Sequence, residues 1–364
     1  MNKAIQYQKN IVSLSLPYLA GIALGSALGS AFPAGDWEWT CALLSSAGCA
    51  LLLVVLLLWR RSDAASLPLF LLLGLLSWTS WSLSPALPSG RESSGAVLAL
   101  CSEIDSLELE SGRCTELLKA LLSGNKAGLD RELREAFRSS GASHILALSG
   151  LHLGILYGIL SSLLSLLGRS RGATLARSLC CIAAAFLYAR ATGFSSSIVR
   201  ALLYIIFNEI CTLSPERKRH PANILCASLL IQLCLRPGAI RELGFQLSYL
   251  AMLGIGLVFP RLEEWYPAGR ARFNPMRKLW STMALSISCQ LTTAPLVLLR
   301  FGTFPRYFLL TNLLSLPLVE AFIWCGVAAL ALNAVGIGCP AILKSLTETV
   351  GEALIYCIEL IASL

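Results

Sequence analysis

The sequence predicts an all-α polytopic membrane protein, a bundle of about 10–11 transmembrane helices with an interfacial amphipathic helical segment. Two observations carry this. Residues are 55% hydrophobic and 14% charged, with a mean hydropathy of +0.69, whereas a soluble domain carries roughly a quarter charged residues. Several nearly charge-free runs reach about 20 residues, the length that crosses a hydrocarbon core of about 30 Å.

Taken in order, the apolar runs are 11–31, 41–59, 67–83, 144–167, 173–191, 195–213, 221–236, 244–260, 279–299, 307–333 and 341–363. The first follows Lys3 and Lys9 and is longer than the apolar part of a signal peptide, so it reads as a span. Trp37, Trp39, Trp59, Trp78, Trp81 and Trp280 fall near run ends, as an interfacial aromatic belt requires. The run 307–333 is long for one crossing; Pro317 breaks it into two half-helices or a tilt absorbs the excess. Four regions follow: three spans over 1–84, a polar segment over 85–143, a transmembrane core over 144–333, and a last helix over 334–364.

Basic clusters orient the chain. Arg60-Arg61, Arg169 with Arg171, Arg217-Lys218-Arg219-His220, and Arg270, Arg272, Arg277 and Lys278 occupy alternate loops. The positive-inside rule makes those loops cytoplasmic. The N-terminus is then inside a plasma (inner) membrane, and the C-terminus outside if 307–333 crosses once. The net charge of +8 reflects the same bias.

Segment 85–143 is then extracytoplasmic. Leu117, Leu118, Leu121 and Leu122 form one stripe, and Leu129, Leu133, Ala136 and Phe137 another, with a break near Asn125 and Gly128. A helical hairpin results, either lying on the outer surface or capping the bundle. Of the thirteen cysteines, Cys101 and Cys114 alone lie in this polar segment. Outside the cytoplasm they are a candidate disulfide, with two free thiols as the alternative. Most of the others sit in apolar runs as small hydrophobes. No CxxC pair occurs, so neither a metal nor a cofactor is expected.

Polar residues inside apolar runs mark candidate sites. Arg190, Arg241, Arg300 and Arg306 lie at the outer ends of spans, a basic outer mouth suited to an anion. Arg200 lies deeper, roughly 9 Å along its helix. Gln246, Gln290 and Asn312 recur at mid-depth, with Thr292, Thr293, Ser315 and Glu320 nearby. Four such helices read as the lining of a wet cavity. In SHILALSGLHLGIL, His144 and His152 are about 80° apart around a helix, so both border one cavity or bond to neighbouring helices. Ser149 and His152 share a face, but i,i+3 spacing without an orienting third group suits hydrolysis poorly. Gly150 and Gly154 allow a helix to approach closely.

Four ordered stretches, FRSSGASHILALSGLHLGIL (137–156), TGFSSSIVRALLY (192–204), LGFQLSYLAMLGI (243–255) and APLVLLRFGTFPRYFLLTNLLSLPLV (294–319), together resemble the ComEC competence family. The resemblance covers roughly 117–330. It implies a channel that passes single-stranded DNA into the cytoplasm during natural transformation. An extracytoplasmic DNA receptor and a cytoplasmic helicase-like motor are its implied partners, besides membrane lipid. By motif position it draws attention to His144, Ser149, Gly150, His152, Arg200, Gln246 and Asn312, with no catalytic set.

Fuller members carry an OB-like domain, for which 85–112 is too short. They also carry a metallo-β-lactamase-like domain, for which three histidines and no HxHxDH cluster are too few. The chain therefore reads as a short form and not an enzyme, with degradation of the second strand assigned elsewhere. No GxxxxGK[ST] occurs, so ATP does not power it directly. Phe194, Phe245 and Tyr249 are candidates to stack on bases or to pack the core. A small-molecule or lipid transporter, an intramembrane hydrolase using Ser149 and His152, and a remnant without transport function are the alternatives.

Overall fold

The structure, a computed structural model, describes residues 15–26, 71, 73–75, 95–168, 170–213, 221–266, 274–302, 306–336 and 338–364. Span 41–59, much of 11–31 and 67–83, Trp37, Trp39, Trp59, Trp78, Trp81, Arg60-Arg61, Arg169, Arg217 to His220, Arg270 and Arg272 lie outside the described residues. So do Cys41, Cys49 and the polar segment before residue 95. Every regular element among the described residues is helical, as expected of an all-α membrane protein.

The chain forms two units, 1–90 with 214–246 and 91–213 with 247–364. In the first, a helical segment at 15–26 buries Tyr18 and Ile22. Gly21 lies directly against the Leu71 carbonyl, a contact that leaves no space for a side chain. Helix Pro221–Leu235 runs into a 3-10 turn, Pro237–Arg241. Arg236 pairs with Glu242 at 2.7 Å, and the Arg241 guanidinium donates to Ser26 Oγ at 2.8 Å.

The second unit begins with α1 (Gly95–Asp105), α2 (Gly112–Ser123), α3 (Arg131–Ser139) and the single turn α4 (Ser143–Leu146). Then come α5 (Gly150–Leu164), α6 (Arg171–Ala191) and α7 (Ser196–Leu213). With the first-unit helix Pro221–Leu235 as α8, the series continues with α9 (Leu243–Leu257), α10 (Phe259–Glu263), α11 (Pro275–Phe301), α12 (Phe308–Ala334) and α13 (Ala341–Ala362). Among the described residues four helices, α6, α7, α11 and α12, are long and apolar enough to cross a membrane. α5, α9 and Ala222–Leu235 are apolar but shorter. α13 is not among the four; it carries Lys344, Glu348, Glu352 and Glu359 and buries Gly351, Leu354, Ile355 and Ile358.

Of the two forms open to the 117–137 hairpin, the structure shows the packed one. Leu117, Leu118, Leu121, Leu133 and Phe137 share a core with Val319, Phe322 and Ile323 of α12 and Leu354 and Ile358 of α13. The reason is steric. The α-carbons of Gly326 and Gly351 bring α12 and α13 close enough that an added Cβ would lie 2.6 Å from Leu118 Cδ1 and 2.8 Å from Cys114 Sγ. An apolar stripe that finds such a groove is removed from water at roughly 25 cal/mol per Å². The hairpin breaks at Gly124, whose φ of 77° closes α2 in the left-handed conformation. Pro317 does not break α12, which is one unbroken helix of 27 residues, about 40 Å long.

Candidate functional site: an unpaired arginine and open amides

The SHILALSGLHLGIL stretch folds as two pieces. After α4 the backbone extends at Ala147, and Ser149 (φ −119°, ψ 166°) caps α5. Ser149 Oγ accepts from the Leu151 N–H at 3.3 Å, and His152 Nδ1 accepts from the Ser149 N–H at 3.2 Å. This is a reciprocal capping box in which an imidazole takes the place of the usual Glu or Gln. The Ser–His proximity read from the sequence is real, at 3.3 Å from Oγ to Nδ1, and it terminates a helix. Because Nδ1 accepts, the neutral ring carries its hydrogen on Nε2. That atom is buried without a partner, in a residue 1% exposed.

His144 behaves differently. It is exposed, and its Nδ1 lies 3.1 Å from the Gly141 carbonyl, which can only accept, so Nδ1 donates. The two imidazoles are thus held by separate backbone groups.

Gly150 packs the start of α5 onto α7. A Cβ there would lie 3.1 Å from Ala201 Cβ and 3.1 Å from Arg200 Nη2. Gly154 faces open space, so only the first of the two glycines makes a close approach. Arg200 is half-buried and its Nε has no partner. No carboxylate pairs with it among the described residues. Tyr249 of α9 and Cys289 of α11 act on it electrostatically, and both are ordinarily neutral at physiological pH. A guanidinium in a membrane helix without a counter-ion is a site for an anion or for ordered water.

The remaining polar residues divide by chemistry. The hydroxyls of Ser288, Thr292, Thr293 and Ser315 bond back to carbonyls of their own helices, which satisfies them locally. The amides do not close. Gln246 donates from Nε2 to the Ile240 carbonyl at 2.8 Å but leaves Oε1 buried and unpartnered. Asn312 Oδ1 is likewise buried without a partner. Gln290 is half-buried in α11. Arg190, Arg300 and Arg306 are exposed, as is Arg241 on Ser26. Phe194, at φ 48°, stacks edge-on against Phe186 at 5.8 Å; Phe245 and Tyr249 are buried.

Cys101 and Cys114, the candidate disulfide pair, are free and buried in this structure. Cys101 Sγ accepts from Asn125 Nδ2 at 3.7 Å, and Cys114 Sγ donates to the Glu348 carbonyl at 3.8 Å. Each thiol thus faces a different neighbour. A cavity of about 540 Å³ in this unit lies away from the predicted path residues. It is lined by Asp105, Glu108, Arg113, Glu116, Asp130 and their apolar neighbours. Beside it Lys119 bridges Asp105 and Glu116, both at 2.7 Å.

Sequence reasoning missed one cluster. Glu209 of α7 is 2% exposed. Tyr157 of α5 donates its hydroxyl to Oε1, Ser178 of α6 donates to Oε2 at 2.5 Å, and Asn208 donates to Tyr157 Oη at 3.0 Å. The signal was present as Asn-Glu inside the apolar run YIIFNEICTL.

Four long apolar helices, among them α7 with Arg200 and Glu209 and α12 with Asn312, define a polytopic helical membrane protein. A family model described as Competence protein matches residues 121–364, and the chain belongs to that family. It is also 28% identical over 218 residues to ComE operon protein 3 of Bacillus subtilis (strain 168), across 59% of this chain and 26% of that protein. The chain thus matches about a quarter of the length of this curated relative. No solved structure matches it.

Proposed function

We propose that this chain is the membrane core of a DNA-uptake apparatus and passes single-stranded DNA into the cytoplasm, without catalysing a reaction. Family membership supports the competence role. The observation that supports strand passage is Arg200, a half-buried guanidinium against the glycine start of α5 with no acidic partner among the described residues. A phosphodiester supplies the missing negative charge. Its oxygens accept from both the guanidinium and backbone N–H groups. Hydrocarbon cannot solvate a polyanion, so a path of hydroxyls, amides and water must replace its hydration. Sparse contacts suit a strand that has to keep moving. The exposed arginines Arg190, Arg300 and Arg306 of the second unit concentrate DNA at the outer mouth, with cytoplasmic basic loops and an inner-membrane location completing the topology. A receptor outside and a motor inside drive the strand.

The hydrolase alternative loses its support because Ser149 and His152 are engaged in a helix cap. The broken helix that favoured a small-molecule transporter is absent, since α12 is continuous. Deleting the gene and measuring entry of labelled DNA tests the core claim. Arg200→Ala is expected to lower uptake about tenfold or more at unchanged protein level, the scale of one lost charge-assisted contact. Arg200→Lys should retain part of the uptake. Full uptake in Arg200→Ala rules out the phosphate role.

A further inference from the structure

We propose that α10 and the first turn of α11 form a foot that seats on anionic phospholipid headgroups at the membrane face where α11 begins. The level of the foot follows from α11. Between Lys278 and Arg300 this helix carries no charged side chain. That stretch, residues 279–299, is about 30 Å long at 1.5 Å per residue, which matches the thickness of a hydrocarbon core. Arg277 and Lys278 therefore stand in one headgroup layer. Two hydrogen bonds hold α10 at the same level. Trp280 Nε1 donates to the Leu262 carbonyl at 2.9 Å, and Ser281 Oγ donates to Glu263 Oε1 at 3.3 Å. Both donors lie at the start of the uncharged stretch, so α10 is fixed at the boundary between hydrocarbon and headgroups.

The foot presents both chemistries of that boundary. Trp265, just past α10, is 73% exposed, and Met276 in the first turn of α11 is 58% exposed. Arg261, Arg277 and Lys278 are exposed beside them. None of the three forms an ion pair among the described residues, although Glu263 and Glu264 are close in sequence. Glu263 is engaged by Ser281, and Arg261 spends one donor on the Leu257 carbonyl at 3.1 Å. Three cations against two carboxylates leave an excess of positive charge, which favours an anionic lipid over a zwitterionic one. The phosphodiester of its headgroup accepts from guanidinium and ammonium donors. An indole suits the same layer, with its apolar body toward the chains and its N–H toward the headgroups. A protein or a nucleic-acid strand docking here needs the foot to stand clear in water, and the bonds to Trp280 and Ser281 keep it at the bilayer. Each cation near such a surface raises the local share of anionic lipid about fivefold.

This inference stands apart from DNA passage. In its test the full chain is placed in nanodiscs of phosphatidylcholine with a minor fraction of phosphatidylglycerol. One of the two lipids carries bromine near the top of its acyl chains, where it quenches a neighbouring indole. Subtracting the emission of Trp265→Phe isolates that of Trp265. Bromine on phosphatidylglycerol is expected to quench Trp265 about fivefold more, per bromine, than bromine on phosphatidylcholine, and added salt should shrink the difference. The double variant Arg277→Gln/Lys278→Gln should keep the quenching and lose the preference. If Trp265→Phe fails to accumulate, the preference in total emission, wild type against the double variant, decides the matter. Equal quenching by the two lipids in the wild type overturns the proposal, as does a Trp265 emission that neither lipid quenches. Quenching by an added single-stranded oligonucleotide in place of lipid overturns it in favour of a nucleic-acid platform.

Discussion

Single side chains in this protein do more to end helices and seal gaps than the types of residue suggest. Ser149 is the clearest case, because it satisfies backbone donors at the start of α5. Ser149→Ala should cost about 1 kcal/mol of thermal stability and leave DNA uptake intact; loss of uptake at full protein level would restore a chemical role for the hydroxyl. The adjacency of Ser149 and His152 was legible from their i,i+3 spacing. Their role was not, because His seldom occupies the third position of a capping box and nothing in the spacing tells a cap from a catalytic pair. The thiols make a second case. Burial pushes the Cys114 thiol above its usual range, so it stays protonated through neutral pH and ionises only as the solution becomes more alkaline than a free thiol requires. Alkylation of Cys114 in the folded protein should be slow near neutral pH and become fast on denaturation. Mobility on gels should be the same with and without reductant, and a reductant-dependent shift in a variant keeping only Cys101 and Cys114 would show that they pair after all.

At the scale of elements, the helices of the second unit were largely visible in the hydrophobic pattern. The run 195–213 became Ser196–Leu213 and the run 307–333 became Phe308–Ala334. Apolar length and terminal signals are local properties, so they survive reading one stretch at a time. The partner of a stripe is not local. Leu117, Leu118 and Leu121 advertise a buried face without saying whether lipid, water's edge or another helix covers it. The answer depended on Gly326 and Gly351, some two hundred residues away, which bare the surfaces of α12 and α13. Gly326→Ala and Gly351→Ala should each destabilise by about 1–3 kcal/mol, the usual cost of overpacking, read as a lower unfolding temperature in detergent. Neutral substitutions at both positions would mean that α2 is not seated as described. Arg113, which ties α2 to Glu359 of α13 and also meets Asp130 at 3.5 Å, should matter less, because exposed ion pairs contribute about 0–1 kcal/mol.

For the whole molecule, the sequence disclosed the class and the family, while the proposed passage rests on a set of residue types. Arg200, Asn312 and Gln246 do carry unsatisfied atoms, as polar lining would. The hydroxyls predicted beside them turned inward to their own backbones, an outcome that no spacing distinguishes from facing water. Core and conduit should separate by mutation. Phe137→Ala, which hollows the second unit, should cost about 3–5 kcal/mol and lower the amount of protein in the membrane. Arg200→Ala should lower uptake alone. If both variants lose protein equally, Arg200 acts in assembly.

The core joining α2 and α3 to α12 and α13 also carries a demand on biogenesis. Its first leucines leave the ribosome roughly two hundred residues before the helices that shelter them. Until the final segment is synthesised, that greasy hairpin is an orphan at the translocon. Whatever assists insertion has to shield it for most of the chain's birth, and a premature stop ahead of α13 would yield a polypeptide fit for proteolysis.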